Sequence, residues 1–388
     1  MRIALLSDTY TPQVNGVTTV VARIVRVLRE FGHDVAVVAP RYPGHDPNPP
    51  PGGGDAELRI PSAPFPPYPA IRLSLPQFRT VARYLDTFRP DLLHVATEGT
   101  IGLTGRRYAV RNNVPLVTSY HTNFPQYARH YGAGLIEPLV WRWLRWFHRP
   151  ARLTQTPGEA ICHALIQRRI GRPVVWGRGV DSAHFHPGRR HAGWRRWLGA
   201  SDDTAIVLHV GRLAPEKNLD VLMDAWTLAH RDLGDAATFV LAGEGPGASK
   251  LVARMPWVRH LGFLDRDRLA SLYASADICV LPSATETCGL VALEAMASGL
   301  AVIAADAGGF RESIVDNVTG LLAAPRDAGE FAAEIVALAR HSVWRRELAA
   351  AARDAATRRD VVPENLALLD QYAAAADLTQ PGAAPCAA

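Results

Sequence analysis

Lysine is almost absent from this chain. The 42 basic residues include only Lys217 and Lys250 as lysines, and the rest are arginine. Such a bias fits GC-rich coding. In that background a lysine marks a candidate position where a compact point charge serves and the planar arginine fork does not. Cysteine is scarce as well. Cys162, Cys279, Cys288 and Cys386 show neither metal-ligand nor disulfide spacing, which argues against a zinc site or a disulfide scaffold. No run approaches 18 consecutive apolar residues, so no transmembrane helix is expected. Met1 leads straight into the strand-like Ile3-Ala4-Leu5-Leu6, which leaves no room for a signal peptide and makes the cytoplasm the expected location. The first strand–helix turn holds no Gly-x-Gly-x-x-Gly, which argues against a classical dinucleotide site. The net charge of +5 is mild and scattered, so nucleic acid is not an expected partner, while contact with anionic lipid remains open. A chain of 388 residues exceeds one ordinary core, and two α/β domains are expected.

What is present reads as repeated strand–loop–helix units. The densest lies between residues 278 and 305. Ile278-Cys279-Val280-Leu281-Pro282 and Leu300 to Ala305 read as buried strands, with a helix from near Gly289 to Gly299 between them. Glu286, Thr287, Cys288 and Gly289 then stand where a parallel strand hands over to a helix, the ligand crevice of an open α/β sheet. Backbone N–H groups of residues 289–291, Leu290 among them, favour an anion there, and Gly289 permits close approach of a ligand. Glu286 and Glu294 frame the corner. A carboxylate pair beside an anion site fits a ligand with both phosphate and hydroxyl groups.

The chain opens with a strand over 2–8, a loop to Asn15-Gly16, a helix over 17–31 and a strand over 34–40. Gly16 reads equally well as a plain loop glycine. Residues 41–57 are expected to form a long exposed loop, and 61–72 are proline-rich. A strand over 115–120 ends in His121-Thr122-Asn123. There a histidine can donate a hydrogen bond or shuttle a proton, with structural and functional roles about even. On the helix around 134–149, Arg142, Arg145 and Arg149 form a ridge beside Trp141, Trp143, Trp146 and Phe147. Contact with a membrane or an acceptor competes there with the commoner arrangement of buried aromatics and solvated arginines. Residues 177–203 are the candidate linker. After a strand over 205–210, Arg212 and Lys217 share one strand-to-helix loop, where two cations can clamp a diphosphate. A glycine-rich turn over 243–247 follows, then a strand over 258–263. Three helices over 327–340, 342–358 and 362–376 finish the fold.

These residues resemble the retaining, GT-B-fold glycosyltransferases of glycosyltransferase family 4 from Arg2 to about Tyr372. The marks are Gly211-Arg212-Leu213 with Glu216-Lys217-Asn218, the Glu286/Glu294 spacing, Val180-Asp181 with Phe185 and Pro187, and Gly243-Glu244-Gly245-Pro246. The resemblance implies two Rossmann-like parallel-sheet domains facing across a cleft: residues 1–185 joined by the helix 362–376, and residues 195–360. It implies that Arg212 and Lys217 neutralise the diphosphate of a sugar nucleotide and that Glu294 binds the ribose hydroxyls. Glu286 would hold the donor sugar, and the backbone at Cys288, Gly289 and Leu290 would meet phosphate. Gly16 would approach the diphosphate, His121 would sit beside the donor sugar, and Gly262-Phe263-Leu264 would receive the base. Cys288 departs from the family's common Phe. No metal or other cofactor is implied.

Asn15-Gly16-Val17, Tyr120-His121-Thr122-Asn123-Phe124 and Glu286-Thr287 look closest to the GDP-mannose-dependent α-mannosyltransferases. The sulfoquinovosyl diacylglycerol synthases come next. Both act on lipid-linked acceptors, so a glycolipid acceptor and peripheral contact at the inner face of the plasma membrane are further expectations. A UDP-sugar enzyme and a non-catalytic nucleotide-sugar-binding scaffold are the alternatives, separated by whether any donor is turned over.

Overall fold

Short apolar strands alternating with amphipathic helices build two parallel sheets, as such alternation requires. The computed structural model describes residues 1–13, 15–44, 56–65, 68–121, 136–177 and 179–377. By contacts the chain divides into two units, Met1–Gly177 with Glu364–Ala388, and Arg178–Pro363.

In the first unit the strands are β1 (Arg2–Leu6), β2 (Asp34–Pro40), β3 (Glu57–Ile60), β6 (Leu92–Val95), β7 (Leu116–Ser119), β8 (Leu153–Thr156) and β9 (Pro173–Val175). They run parallel in the order β3-β2-β1-β6-β7-β8-β9. Ile3 to Leu6 are fully buried, as expected of a strand covered on both faces. Its helices are α1 (Gly16–Glu30), α2 (Phe78–Phe88), α3 (Thr100–Asn112), α4 (Glu137–His148) and α5 (Glu159–Gln167). Helix α1 starts where the Asn15 side chain accepts from the Thr18 N–H at 2.8 Å. It buries Val20, Val21, Ile24, Val27 and Leu28 at helical spacing.

Two pieces of this unit differ from the sequence reading. Residues 57–60 form β3 between the expected loop over 41–57 and the proline-rich 61–72, and β4 (Ser62–Phe65) pairs with β5 (Tyr68–Ser74) as an antiparallel ribbon. Tertiary bonds override the local signal. The buried Arg59 guanidinium donates to Thr11 O at 2.8 Å and to Pro40 O at 3.2 Å, which ties β3 to its neighbours. A two-stranded ribbon leaves free edges on which prolines lose no ladder bond.

The second unit holds β10 (Ala205–Val210), β11 (Ala237–Ala242), β12 (Arg259–His260), β13 (Ile278–Leu281), β14 (Ala301–Ala305) and β15 (Leu321–Ala323). The order is β12-β11-β10-β13-β14-β15, again parallel. Its helices are α6 (Ala192–Leu198), α7 (Leu219–Leu233), α8 (Ala248–Arg254), α9 (Arg266–Ser275), α10 (Leu290–Ala297), α11 (Phe310–Ser313), α12 (Ala328–Arg340) and α13 (Ser342–Arg358). The stretch read as a linker is partly folded. Arg195 of α6 is buried and donates to Ser201 O and Thr204 O, each at 2.6 Å, and to Asp277 at 2.9 Å.

The last helix, α14 (Val361–Ala376), clusters with the first unit from Glu364 onward. A directed hydrogen-bond chain holds it there. The buried Tyr372 hydroxyl bonds His94 Nδ1, and His94 Nε2 lies 2.7 Å from Ser119 Oγ. Ser119 donates to Gln155 at 3.2 Å, Gln155 to Gln371 at 3.0 Å, and Gln371 to Val175 O at 2.9 Å. Burial drives the His94 pKa down to about 3, so the ring is neutral and its tautomer follows from its two partners. Cys162 is disulfide-bonded, contrary to the spacing argument, while Cys279 and Cys288 are free thiols. Tyr372→Phe leaves the His94 acceptor unmatched in a dry site. We expect it to lower unfolding stability by about 1–3 kcal/mol, read from urea melts of the two proteins.

Candidate functional site

In each sheet the chain first builds one flank and then crosses to the other. In the second unit the reversal lies between β10 and β13, with β11 on the far side of β10. Loops leaving the carboxyl ends of two such strands open a crevice, the usual ligand position in an open α/β sheet. Those loops carry Arg212 and Lys217 after β10 and Glu286 to Gly289 after β13.

The first loop is shaped by glycine. Gly211 has φ +152°, and Gly243 in the neighbouring loop has φ +138°. A Cβ on Gly243 would lie 1.9 Å from Gly211 O, so only glycine lets these turns meet. The loop then tightens into a 3-10 turn, Pro215–Lys217. Glu216 is fully buried there, and its carboxylate bonds the half-buried Arg212 guanidinium. Glu216 O accepts from Ser283 Oγ at 3.4 Å and from Thr285 Oγ1 at 3.1 Å, and the Asn218 amide donates to Pro282 O at 2.9 Å. The two loops are thereby stitched together.

Across the stitch, Lys217 Nζ pairs directly with Glu286 Oε1. Burial raises the Glu286 pKa, and the Lys217 charge and hydrogen bond more than offset it, so the carboxyl lies below its ordinary value. Arg212 and Lys217, read from the sequence as two cations that can clamp a diphosphate, thus each hold a carboxylate of this chain. The Glu286 loop is braced from behind. Gly309 N donates to Glu286 O at 2.8 Å, and a Cβ on Gly308 would approach that oxygen to 2.4 Å. Cys288 is buried, and Gly289 has φ +69° with Phe310 packed where a Cβ would point. Helix α10 begins at Leu290 with Gly289 as its N-cap and no side-chain cap, so the positive end of its dipole directly follows the Glu286 loop.

Glu294 lies on α10 against Tyr273 and within electrostatic reach of Arg266. Burial pushes its pKa up to about 7, against the opposing Arg266 charge. Gly262, Phe263 and Leu264 follow β12. Gly262 O accepts from Gly243 N at 2.8 Å, Phe263 is half exposed and Leu264 buried. The contacts Gly262–Gly243–Gly211 and Lys217–Glu286 thus join these expected residues of the second unit into one neighbourhood.

Gly16 and His121 belong to the first unit. Gly16 is the first residue of α1, and nothing lies within 4 Å of where its Cβ would stand, so neither packing nor backbone in this unit calls for glycine. His121 is buried just past β7, while Thr122 and Asn123 lie outside the described residues. The first unit also holds a buried pair the sequence reading missed, Glu98 with His148 at 3.4 Å. Glu98 follows β6 at the carboxyl edge. Burial raises its pKa, and His148 partly opposes that. Glu216 was quoted only within a motif; its burial gives it the task of orienting Arg212. His209 was read only as part of an apolar strand, and a polar residue inside a fully buried run was the available signal.

Among the described residues no cluster of three or more His, Cys, Asp or Glu side chains is placed to hold a metal. The one Asp-x-Asp near the site, Asp265-Arg266-Asp267, is otherwise engaged. Asp265 caps α9 through Arg268 N at 2.9 Å, and Asp267 pairs with Arg189 at 3.0 Å.

Comparison with known proteins identifies the family and the fold. Residues 14–184 match the model described as Glycosyltransferase Family 4, and residues 204–341 match Glycosyl transferases group 1. The chain is 37% identical over 356 residues to a GDP-mannose-dependent alpha-mannosyltransferase of Mycobacterium tuberculosis, covering 89% of each. It is 38% identical to one from Mycolicibacterium smegmatis, covering 83% of this chain and 84% of that one. It is 33% identical to the sulfoquinovosyl transferase SQD2 of Arabidopsis thaliana, covering 89% of this chain and 68% of the relative. Anabaena HepE in complex with UDP superposes with a TM-score of 0.76 at 22% identity, over 96% of this chain and 100% of that one, which bears on the fold. The chain belongs to the family 4, group 1 glycosyltransferases and is a hexosyltransferase of the GT-B fold.

Proposed function

We propose that this protein transfers mannose from GDP-mannose, with retention of anomeric configuration, to a hydroxyl group of a lipid-linked or glycolipid acceptor. The observation that carries the reading is the meeting of Arg212, Lys217 and the uncapped start of α10 at one switch point, with Glu286 and Glu294 beside them. The mannosyltransferase relatives support the choice of donor. In the proposed step the bond between the anomeric carbon and the β-phosphate oxygen breaks as the acceptor oxygen bonds the same face of that carbon. The acceptor proton passes to the departing phosphate oxygen. Negative charge grows on that oxygen, and Arg212, Lys217 and the helix N-terminus meet it more strongly in the transition state than before it. In this scheme those groups supply the positive charge without a metal. Glu286 accepts from the sugar hydroxyls and Glu294 from the ribose. The roles of His121 and Gly16 rest on the family resemblance.

Peripheral membrane contact belongs to the same proposal. Helix α4 exposes Leu139, Trp143 and Trp146 alongside Arg142 and Arg145, with Arg149 just beyond its end. Arg106 lies 3.7 Å from the Trp146 ring centroid. Apolar and aromatic groups ringed by arginine suit an anionic lipid surface. No described helix is long and apolar enough to cross a membrane. A UDP-sugar donor with a diacylglycerol acceptor is the second reading. It is favoured by SQD2 and by a 28% identical alpha-monoglucosyldiacylglycerol synthase of Streptococcus pneumoniae.

Three outcomes test this. In a metal-free thermal-shift panel of GDP-, UDP- and ADP-sugars, GDP-mannose raises the melting point of the wild type and Lys217→Ala loses that response. Stabilisation by a UDP-sugar alone selects the second reading, and failure to turn over any donor selects a scaffold. Lys217→Ala and Glu286→Ala each lower kcat/KM at least about tenfold with the fold intact; wild-type rates in either variant overturn the site assignment.

Glu294 sets the pH dependence. Its carboxyl is raised, so the ligand-free fold holds a proton between the ordinary value of 4.5 and about 7 and loses stability from this group as pH rises through that window. Binding runs the other way, because the carboxylate is the better acceptor. GDP affinity should fall from pH 8 to pH 6 more steeply in the wild type than in Glu294→Gln by about tenfold, as calorimetry would show. For the membrane, Trp143→Ser with Trp146→Ser should cut co-sedimentation with vesicles rich in anionic lipid at least about threefold. Unchanged co-sedimentation removes α4 from the surface.

A further inference from the structure

His209 is the single polar side chain of β10, Ala-Ile-Val-Leu-His-Val, and is 2% exposed. Its Nδ1 lies 2.8 Å from Val280 O. A carbonyl oxygen only accepts, so Nδ1 carries the proton and Nε2 presents a lone pair. Among the described residues that buried Nε2 has no hydrogen-bond partner. It faces the ligand loop: it is the nearest atom that a Cβ on Gly211 would meet, at 3.9 Å. The His209 pKa is lowered to about 4, mainly by burial and in part by the Lys217 charge, against the opposing hydrogen bond to Val280 O and the Glu286 charge. Both ends of the Lys217–Glu286 pair therefore lie within electrostatic reach of the ring, and the ring is neutral near pH 7.

A buried lone pair aimed into a site needs a donor there. Phosphate oxygens have no proton to give, and of the loop's two cations Lys217 is the one whose charge acts on the His209 ring. The Lys217 ammonium carries three N–H groups, of which Glu286 takes one. We propose that His209 is a positioning residue for Lys217, its Nε2 accepting a hydrogen bond from the ammonium when a nucleotide-diphosphate sugar draws Glu286 away. This rests on the donor-site reading above. Sugar hydroxyls then take Glu286, one Lys217 N–H meets phosphate, and His209 holds another. The exchange has an electrostatic consequence. A carboxylate partner neutralises the ammonium, whereas a neutral imidazole leaves the whole positive charge on the diphosphate. His209 fixes the direction of the ammonium without diminishing its charge.

A double-mutant cycle tests this by calorimetry, using whichever of GDP-mannose and UDP-glucose binds the wild type, without acceptor. His209→Asn keeps a donor for Val280 O and ends short of the Nε2 position. His209→Phe keeps the ring and removes both nitrogens, and His209→Gln restores an acceptor near Nε2. Asn and Phe should each weaken donor binding at least about fivefold and Gln should recover most of it, while in the Lys217→Ala background Asn and Phe should each cost less than about twofold. Urea melts check that each variant folds, and Asn carries the test should Phe not fold. A fivefold loss that persists without Lys217 shows a structural histidine and overturns the proposal. So does undiminished binding in the Asn variant, even where Lys217→Ala alone weakens binding and the donor-site reading stands. A wild type that binds neither sugar nucleotide overturns both.

Discussion

One ion pair organises the second unit's crevice. Lys217 and Glu286 lie 69 residues apart in sequence and meet because their loops leave strands β10 and β13, neighbours at the reversal of sheet order. Each member is partly desolvated, so neither can lose its partner without replacing it. That condition makes the pair a device for ligand exchange. A ligand with hydroxyl groups on one side and phosphate on the other satisfies both members at once. A bare anion would compensate the lysine and leave the glutamate desolvated and alone. The pairing of Arg212 with the buried Glu216 keeps the second cation oriented while the first changes partners.

Much of this was legible in sequence because the architecture writes itself in apolar runs. Ile278 to Leu281 and Ala301 to Ala305 are buried strands, and the glycines beside them mark turns that no other residue fits. The last three helices, expected over 327–340, 342–358 and 362–376, lie within one residue of those bounds. Strand β3 did not, because its reason is Arg59, whose bonds run to Thr11 and Pro40. Local propensity carries no information about a partner tens of residues away. The same holds inside the site. Lys217 and Glu286 were identifiable as charges at strand ends, yet their mutual pairing was not. His209 was hidden in an apolar strand because its role depends on Val280, in the adjacent strand, taking one of its nitrogens.

Burial sets the chemistry of the remaining groups in two directions. It raises carboxyls such as Glu294 and Glu98 and lowers imidazoles such as His94 and His209, in each case favouring the neutral form. Where a neighbour supplies opposite charge, as Lys217 does for Glu286, the balance tips back toward ionisation. The site therefore holds one carboxylate committed to its charge and another near the point of losing it. A neutral imidazole, His209, lies within electrostatic reach of the first. A ligand that brings hydroxyl donors to Glu294 stabilises its ionised form, so binding and deprotonation are linked at that helix.

The first unit has a switch point of its own, between β1 and β6, and the contrast supports the proposed anion site in the second. There the helix N-terminus is already filled. Asp8, just past β1, accepts from Ile101 N at 2.8 Å and Gly102 N at 3.3 Å at the start of α3, and from the Thr97 hydroxyl at 2.8 Å. Gly99 leaves room for that carboxylate, since a Cβ there would fall 2.5 Å from Asp8 Cγ. A built-in carboxyl acceptor, its pKa raised by burial against these hydrogen bonds, occupies the position where a phosphate would otherwise sit. At the corresponding helix of the second unit the N-cap is Gly289, which brings no side-chain acceptor. The same sheet topology thus supplies two crevices. A carboxyl group placed at the start of α3 fills one, and a glycine placed at the start of α10 leaves the other without a side-chain cap, as the proposed diphosphate site requires.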